Sequence, residues 1–202
     1  MKRIILLLSL IVLVLSTVCH ALPEPQAKVE EMVNSVLSVM RDSQMTLDQK
    51  KSQISGRVQQ FLNIDSMSRR TLGQYWDGAS VEQREHFARL FIKILEATYL
   101  NRIEDYSDGD VKYQKQRVKD DKAIIDTVIV ANELEIPVQY LMIYTDGSLQ
   151  VFDLVIEGVS LVRNYRSSYG EIIRRDGYDG LFALMEEKVR DMSEPASGSS
   201  VQ

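Results

Sequence analysis

The feature that most constrains the fold is the segment Val151 to Ile156, which has the composition of a strand and is followed by a Glu157-Gly158 turn and a helix start. Five of its six residues are apolar. Alternation of side chains along a strand predicts two faces, each mostly apolar. The predicted faces are Val151, Asp153 and Val155 on one side and Phe152, Leu154 and Ile156 on the other. Because a sheet wetted on one side needs only one apolar face, we expect helices on both faces, or helices on one and an apolar space on the other.

The first 21 residues have the pattern of a secretory signal peptide. Lys2 and Arg3 give a basic start, residues 4–18 are almost entirely apolar, and small residues precede a cleavage point after Ala21. The apolar run is shorter than a membrane span. A lipoprotein signal acylated at Cys19 is the alternative, and the bulky valine before that cysteine disfavours it. The sequence therefore predicts a signal peptide at 1–21 and one domain at 22–192.

Charge and cysteine content narrow the compartment and the partners. Cleavage leaves 181 of the 202 residues, enough for one domain with its own core, and removes the single cysteine, Cys19. A secreted chain of this size without disulfides is typical of a bacterial periplasm. Without Lys2 and Arg3, 22 basic residues face 29 acidic ones, a net charge of −7. This balance argues against a nucleic-acid binder, and we expect a monomer.

Apolar spacing and capping residues predict four helices before the sheet. Thr46 and Ser80 each begin a capping box, with glutamine three residues later. Asp65 is predicted to cap the third helix. The predicted helices are 27–41, 47–61, 66–75 and 81–105.

The hydrophobic period changes to two after residue 110, which predicts four strands. They are 111–118, 123–132, 134–144 and 151–156. Pro137 suggests an edge strand or a bulge, and Asp146-Gly147 fits a two-residue hairpin turn. Helices at 160–174 and 178–190 follow, separated by Asp176-Gly177, and residues 193–202 are expected to be a disordered tail. The prediction is an α+β fold, in which N- and C-terminal helices wrap a four-stranded antiparallel sheet.

Catalytic residue types are scarce in the mature chain. It has one histidine, His86, in a charged stretch of a helix, and no thiol. No phosphate-cradling glycine loop or dinucleotide fingerprint is present. Asp126 and Asp153, in apolar strands, are the candidates for a general base, but a structural carboxylate is commoner than a catalytic one. We expect no catalytic residue, no metal and no cofactor, and keep an enzyme that uses Asp126 or Asp153 as the alternative.

Several segments resemble the MlaC family, also called the toluene-tolerance auxiliary family. The resemblance covers most of the mature chain, from about Val29 to Lys188. Two departures are the absence of a tryptophan on the fourth strand and Tyr169 in place of the tryptophan of many relatives. The matching segments are Leu72-Gly73-Gln74-Tyr75-Trp76, Ala79 to Arg84, Phe87 with Phe91, Asp153 to Leu161, and Tyr169 to Ile172 with Asp176-Gly177 and Gly180-Leu181.

The resemblance implies a periplasmic phospholipid carrier with a fold similar to NTF2 and a deep apolar pocket. Such proteins exchange lipid with an outer-membrane lipoprotein-porin complex and with an inner-membrane ABC transporter that has an MCE-domain component, and so maintain outer-membrane lipid asymmetry. Some relatives are linked to hopanoids, so a carrier of hopanoids or other apolar molecules stays open.

Helix stripe, strand position and family motif together select the candidate lipid-contacting residues. Val159 is the strongest candidate, because the family motif places it just past the turn at the cavity wall. Four arginines are candidates for contact with head groups or acidic partner surfaces, although a charged face in contact with water is the commoner explanation. The lipid-contacting candidates are Leu72, Phe87, Phe91, Leu95, Tyr99, Val128, Tyr140, Met142, Val155, Val159 and Leu161. The arginines are Arg163, Arg166, Arg174 and Arg175.

Overall fold

The computed structural model describes residues 24–100, 109–131 and 134–193. The predicted signal peptide and the predicted tail from residue 194 lie outside these residues. So do residues 101–105 of the fourth predicted helix and residue 132 of the second predicted strand. Within the described ranges, four α-helices precede an antiparallel sheet and a long broken helix follows it. The predicted α+β class is confirmed.

The four N-terminal helices agree with the predicted order. Both predicted capping boxes form: the Thr46 hydroxyl accepts from the Gln49 N–H while the Gln49 side chain accepts from the Thr46 N–H, and Ser80 and Gln83 exchange the same two bonds. Each box satisfies two backbone donors at a helix start. The helices are α1 Pro25–Met40, α2 Leu47–Gln59, α3 Ile64–Leu72 and α4 Val81–Leu100, with a 3-10 turn at Gly73–Tyr75 after α3.

The predicted cap of the third helix was wrong by two residues. Asn63, not Asp65, caps α3, and its side chain accepts from the Ser66 N–H at 2.8 Å. The cause is a contact distant in sequence: the Asn63 N–H donates to the Val151 carbonyl, and the Val151 N–H donates to the Phe61 carbonyl, both at 2.8 Å. This short parallel bridge, centred on Leu62, fixes the backbone immediately before Asn63, so the helix starts after Asn63.

The sheet is an antiparallel meander in the order β1-β2-β3-β4-β5. Its fifth strand, two residues long, was not predicted. Both residues of the Asp146-Gly147 and Glu157-Gly158 turns have positive φ, as tight hairpins require. The strands are β1 Asp110–Lys119, β2 Lys122–Ala131, β3 Leu134–Thr145, β4 Ser148–Ile156 and β5 Val159–Ser160.

A bulge in β4 corrects the predicted alternation of its two faces. Val151 pairs with Met142 and Asp153 with Leu141, so Phe152 is the extra residue. Because residues opposite each other in an antiparallel pair share a face, Val151 lies on the Met142 side and Asp153 on the other side. The predicted grouping of Val151 with Asp153 was therefore wrong.

Pro137 does not mark an edge strand, because β3 lies between β2 and β4. Pro137 pairs with Val128 on one side, and its carbonyl accepts from the Glu157 N–H on the other. The N and C=O of one strand residue point towards the same neighbouring strand. The Pro137 nitrogen, which has no hydrogen to donate, therefore points towards the residues that follow the end of β4 at Ile156. A proline costs no ladder hydrogen bond there.

The last helix, α5 Leu161–Ser193, is two helices joined at a break, as predicted. Gly177 has φ 72° and ψ −170°, which is outside the helical region and favours glycine. At its start, the Ser160 hydroxyl accepts from the Arg163 N–H at 3.1 Å and caps the helix. Among the residues that the structure describes, no helix is both long enough and apolar enough to cross a membrane.

One large apolar core lies between a single face of the sheet and helices α1, α3, α4 and α5. A smaller cluster of Val39, Met40 and Ile54 joins α1 to α2. Alternate residues of β2 and β3 face this core. Ile125 pairs with Tyr140, and Ala123 pairs with Met142.

Gly73 and Gly56 give a matched pair for testing backbone strain. Gly73 has φ 56° and ψ −120°, and a Cβ there would lie 2.5 Å from Arg166 Nε. We expect Gly73→Ala to lower the free energy of unfolding by about 2–3 kcal/mol. Gly56→Ala, inside α2 with open space around the added methyl, should raise it by about 0.5–1 kcal/mol. Urea denaturation measures both, and equal effects would contradict the strain at Gly73.

Candidate functional site

Seven of the eleven lipid-contacting candidates lie in the large core. They come from the end of α3, the inner stripe of α4, the core face of β3 and the first residue of α5. All seven are buried, and the Phe87 and Ile94 side chains of α4 are completely inaccessible to solvent. The seven candidates brought together are Leu72, Phe87, Phe91, Leu95, Tyr140, Met142 and Leu161.

The other four candidates lie outside this cluster. Val128 pairs with Pro137 and alternates with the core residues Ile125 and Thr127, so it lies on the opposite face of the sheet. Val155 is buried, but it pairs with Gln139 on that same opposite face. Two candidates are exposed: Tyr99 near the end of α4 is 40% accessible and Val159 on β5 is 54% accessible.

Aromatic rings occupy the centre of the core between α4 and α5. Phe87 stacks on Phe91 with ring centroids 5.4 Å apart, and Tyr165 and Tyr169 meet these rings edge-on at 5.3–5.9 Å. Such pairs add about 0.5–1.5 kcal/mol each beyond the burial of their area. A ligand that entered between α4 and α5 would have to separate these rings.

Two buried tyrosines place hydroxyl groups within this apolar core. Burial raises the pKa of Tyr140 to about 12, and the nearby Tyr113 adds to the effect, while a hydrogen bond with Thr127 opposes it. Burial also raises the pKa of Tyr169, whose hydroxyl has no hydrogen-bond partner in the described part of the chain. Ser68 and Thr71 of α3 are buried hydroxyls of the same kind. Buried hydroxyls without a hydrogen-bond partner are costly to stability.

The raised pKa of Tyr140 gives a prediction about alkaline stability. Below pH 10 the Tyr140 side chain is neutral in the folded and in the unfolded protein. As the pH rises from 10 towards 12, Tyr140 ionises only in the unfolded chain, so the free energy of unfolding falls between about pH 10 and 12. At pH 7, Tyr140→Phe should cost about 1 kcal/mol through the lost bond to Thr127. Near pH 11 the variant should be the more stable of the two proteins. The free energy of unfolding of the wild type falls by about 1.4 kcal/mol per pH unit above pH 10 through Tyr140, and the variant has no hydroxyl to ionise at this position. Urea midpoints at pH 7, 9 and 11 measure this, and a constant difference would contradict it.

Asp153 is a structural carboxylate at the junction of β4, β5 and α5. It is 6% accessible, and its two oxygens accept from the Ser160 hydroxyl at 2.5 Å and from the Val162 N–H at 3.1 Å. Ser160 in turn accepts from the Arg163 N–H. Asp153 and Ser160 of the family motif therefore hold the hairpin and the start of α5 together. Each carboxylate oxygen accepts one of these bonds, which is the usual arrangement of a buried structural carboxylate.

Asp126 is also occupied by a structural contact. Arg117 donates to both of its oxygens, at 2.6 and 2.9 Å, and Gln139 donates to one of them at 2.9 Å. This is the arginine pairing expected of a structural carboxylate. His86, the one histidine of the mature chain, contacts Glu186 at 2.9 Å and the edge of the Phe182 ring on the surface between α4 and α5.

Two clefts open beside the Leu72-Gly73 junction. The first, about 410 Å³, is formed by α5 and the end of α3, and the second, about 610 Å³, lies on the other side of Arg166, which lines both. The first is lined by Leu72, Gln74, Tyr75, Arg163, Arg166, Ser167, Gly170, Glu171 and Arg174. Three of the four arginines proposed for charged contacts therefore meet in one cleft, whereas Arg175 pairs with Asp176 outside it.

Tyr165 and Val151 are buried in the large core but are not among the candidates that the sequence indicates. Tyr165 could have been found from its helical spacing with Tyr169. Val151 could not, because the bulge that turns it inward leaves no local signal in the sequence.

The fold and this core define a protein of the α+β class, in which helices cover one antiparallel sheet around an apolar centre. Residues 30–187 match the model of the family described as MlaC protein. The chain belongs to this family.

Two proteins of known description are similar to this chain. The intermembrane phospholipid transport system binding protein MlaC of Haemophilus influenzae is 25% identical over 137 residues, which are 63% of this chain and 62% of that relative. A solved structure of the phospholipid-binding protein from Ralstonia solanacearum, in complex with a phospholipid, has a TM-score of 0.78. It is 20% identical, and the match covers 85% of this chain and 99% of that one, a likeness of fold.

Proposed function

We propose that this protein binds a phospholipid, with its acyl chains in the core between the sheet and α4–α5 and its head group at the surface. The observation that carries the proposal is the family match over residues 30–187. A solved protein of similar fold holds a phospholipid. Seven candidate side chains from four separate elements meet in one apolar cluster, which supports an acyl site at this place in the fold.

The energetics of acyl burial suit a carrier without a catalytic centre. Each buried methylene contributes roughly 0.8 kcal/mol, so two acyl chains can supply the binding energy without a specific polar contact. Since Asp126 and Asp153 are held by structural hydrogen bonds, we assign the protein a binding role.

The finer proposal is a periplasmic shuttle. After removal of the signal peptide at 1–21, the domain at 22–192 carries lipid between an outer-membrane lipoprotein-porin complex and an inner-membrane ABC transporter with an MCE-domain component, and so maintains lipid asymmetry of the outer membrane. The support is family membership together with the sequence pattern of the first 21 residues.

Native mass spectrometry of the protein purified from a bacterial periplasm tests the cargo. We expect one phospholipid mass per protein, released by organic extraction. A hopanoid-like mass in its place would identify a carrier of other apolar molecules. A ligand-free protein that does not take up phospholipid from vesicles would contradict the proposal.

A further inference from the structure

We propose that Arg163, Arg166 and Arg174 form a phosphate-binding subsite, the first cleft, that takes the phosphate of the bound lipid's head group. This inference rests on the proposed phospholipid binding and adds the residues that recognise the polar end. The three arginines lie at positions i, i+3 and i+11 of α5, so the helix presents them on one face. All three line the cleft of about 410 Å³.

The charge of the cleft stands out against the rest of the chain. Three arginines and one glutamate, Glu171, line it, a net charge of +2, whereas the whole sequence carries −5. Among the residues that the structure describes, no carboxylate lies within ion-pair distance of Arg163, Arg166 or Arg174. Like charges three or four residues apart on a helix repel each other, and a bound anion removes that repulsion.

The Arg166 side chain lies close to the backbone at the end of α3. Its guanidinium lies against Gly73, close enough that a Cβ there would be 2.5–2.9 Å from three guanidinium atoms. The absence of a side chain at this position therefore lets the guanidinium approach the end of α3. An arginine presents a planar fork of donors, which suits a phosphate oxygen pair better than a lysine does.

The floor of the cleft connects it to the apolar core. Leu72 lines the cleft, yet it is 2% accessible and packs in the same cluster as Phe87, Phe91 and Met142. A phosphate bound by the arginines would thus lie one side chain away from the proposed acyl site. This continuity favours a lipid head group over an acidic protein segment, which has no need of an apolar floor.

The second cleft is a weaker anion site. Arg69, Arg70 and Arg166 line it, but Asp65 and Asp77 line it too. Arg70 is also engaged, because it donates to the Ser66 hydroxyl and lies 4.2 Å from the centre of the Phe152 ring. We therefore assign the phosphate to the first cleft.

The test compares ligands with and without a phosphate on the mature, delipidated full chain. Isothermal titration calorimetry measures the affinity for dihexanoyl phosphatidylglycerol, for dihexanoylglycerol and for inorganic phosphate. The Arg163→Gln/Arg166→Gln/Arg174→Gln variant should lose roughly tenfold or more in affinity for the phospholipid and keep its affinity for dihexanoylglycerol. Its control is Lys93→Gln/Lys119→Gln/Lys122→Gln, which removes three exposed positive charges outside both clefts and should bind like the wild type.

A single variant with the opposite sign excludes simple damage to the fold. Glu171→Gln removes the one negative charge of the first cleft and should raise the phospholipid affinity about two- to fivefold. A misfolded protein would not bind more tightly, so this gain supports the subsite directly.

Each other outcome is decisive. If the triple arginine variant binds phospholipid as the wild type does, the assignment is overturned, and an acidic protein partner becomes the ligand class for these arginines. Equal losses for both lipids mean a structural role and also overturn it. Inorganic phosphate binding as tightly as the phospholipid would identify a free-anion site instead. A wild type that binds neither lipid would refute the proposed function itself. This result differs from failure of the subsite alone, in which the wild type and the triple arginine variant bind the phospholipid with the same affinity.

Discussion

Asp153→Ala is expected to lower the free energy of unfolding by about 3–4 kcal/mol. The substitution removes a buried carboxylate that accepts from the Ser160 hydroxyl at 2.5 Å and from the Val162 N–H at 3.1 Å. Charge-assisted bonds contribute about 1.5–3 kcal/mol each, and a buried N–H left without an acceptor costs about 1–3 kcal/mol. Urea denaturation followed by circular dichroism measures the loss.

Two variants show whether the network or the charge causes this loss. Asp146→Asn, in an exposed hairpin turn with φ 50°, removes a carboxylate where asparagine suits the backbone equally well, and should change stability by less than about 0.5 kcal/mol. Ser160→Ala should lose part of the effect, about 1–2 kcal/mol, because the Val162 bond stays. A fully stable Asp153→Ala protein would mean that the hairpin and the start of α5 are held together by packing alone.

The position of Asp153 also bears on the enzyme alternative. A carboxylate in an apolar strand suggests a perturbed general base when only the sequence is known. The structure shows the same residue as an acceptor for two donors at a helix start, which is a structural use of the same chemistry. Asp126, bound on both oxygens by Arg117, is the second example.

The features that sequence predicted well are those that depend on neighbours in the chain. Capping at Thr46 and Ser80 and the Asp146-Gly147 hairpin need only residues within about four positions of each other. The break at Gly177 follows from one glycine that adopts a non-helical φ. The inner stripe of α4, including Phe87 and Phe91, follows from the helical period alone.

The features that sequence did not predict depend on pairing between distant segments. Asn63 became the cap of α3 because the chain before it pairs with Val151, 88 positions away. The bulge at Phe152 reversed the face of Val151, and the register of β2 placed Val128 away from the core. A one-residue shift moves a strand side chain to the other face, so strand candidates were less reliable than helix candidates.

Val159→Glu is expected to leave the protein folded and to abolish copurification of phospholipid. Val159 is 54% accessible, so a carboxylate there can be solvated in the ligand-free protein. Val159 pairs with Ile156, and Leu154, two residues before Ile156, pairs with the core residue Tyr140. These residues share one face of the sheet, so an acyl chain that follows this face outward reaches Val159. Contact between hydrocarbon and a charged group costs several kcal/mol, which is several powers of ten in affinity.

Val118→Glu is the matched control for this change. Val118 is 59% accessible and belongs to β1, at the opposite edge of the same sheet, so the same substitution there adds the same charge at similar exposure. We expect Val118→Glu to retain the wild-type lipid content, measured by extraction and mass analysis after purification under identical conditions. If both variants keep their lipid, Val159 does not contact the acyl chains; if both lose it, the loss reflects added charge and not position. Only a difference between the two edges of the sheet places the mouth of the lipid site beside β5, where Ser160 and Asp153 hold the start of α5.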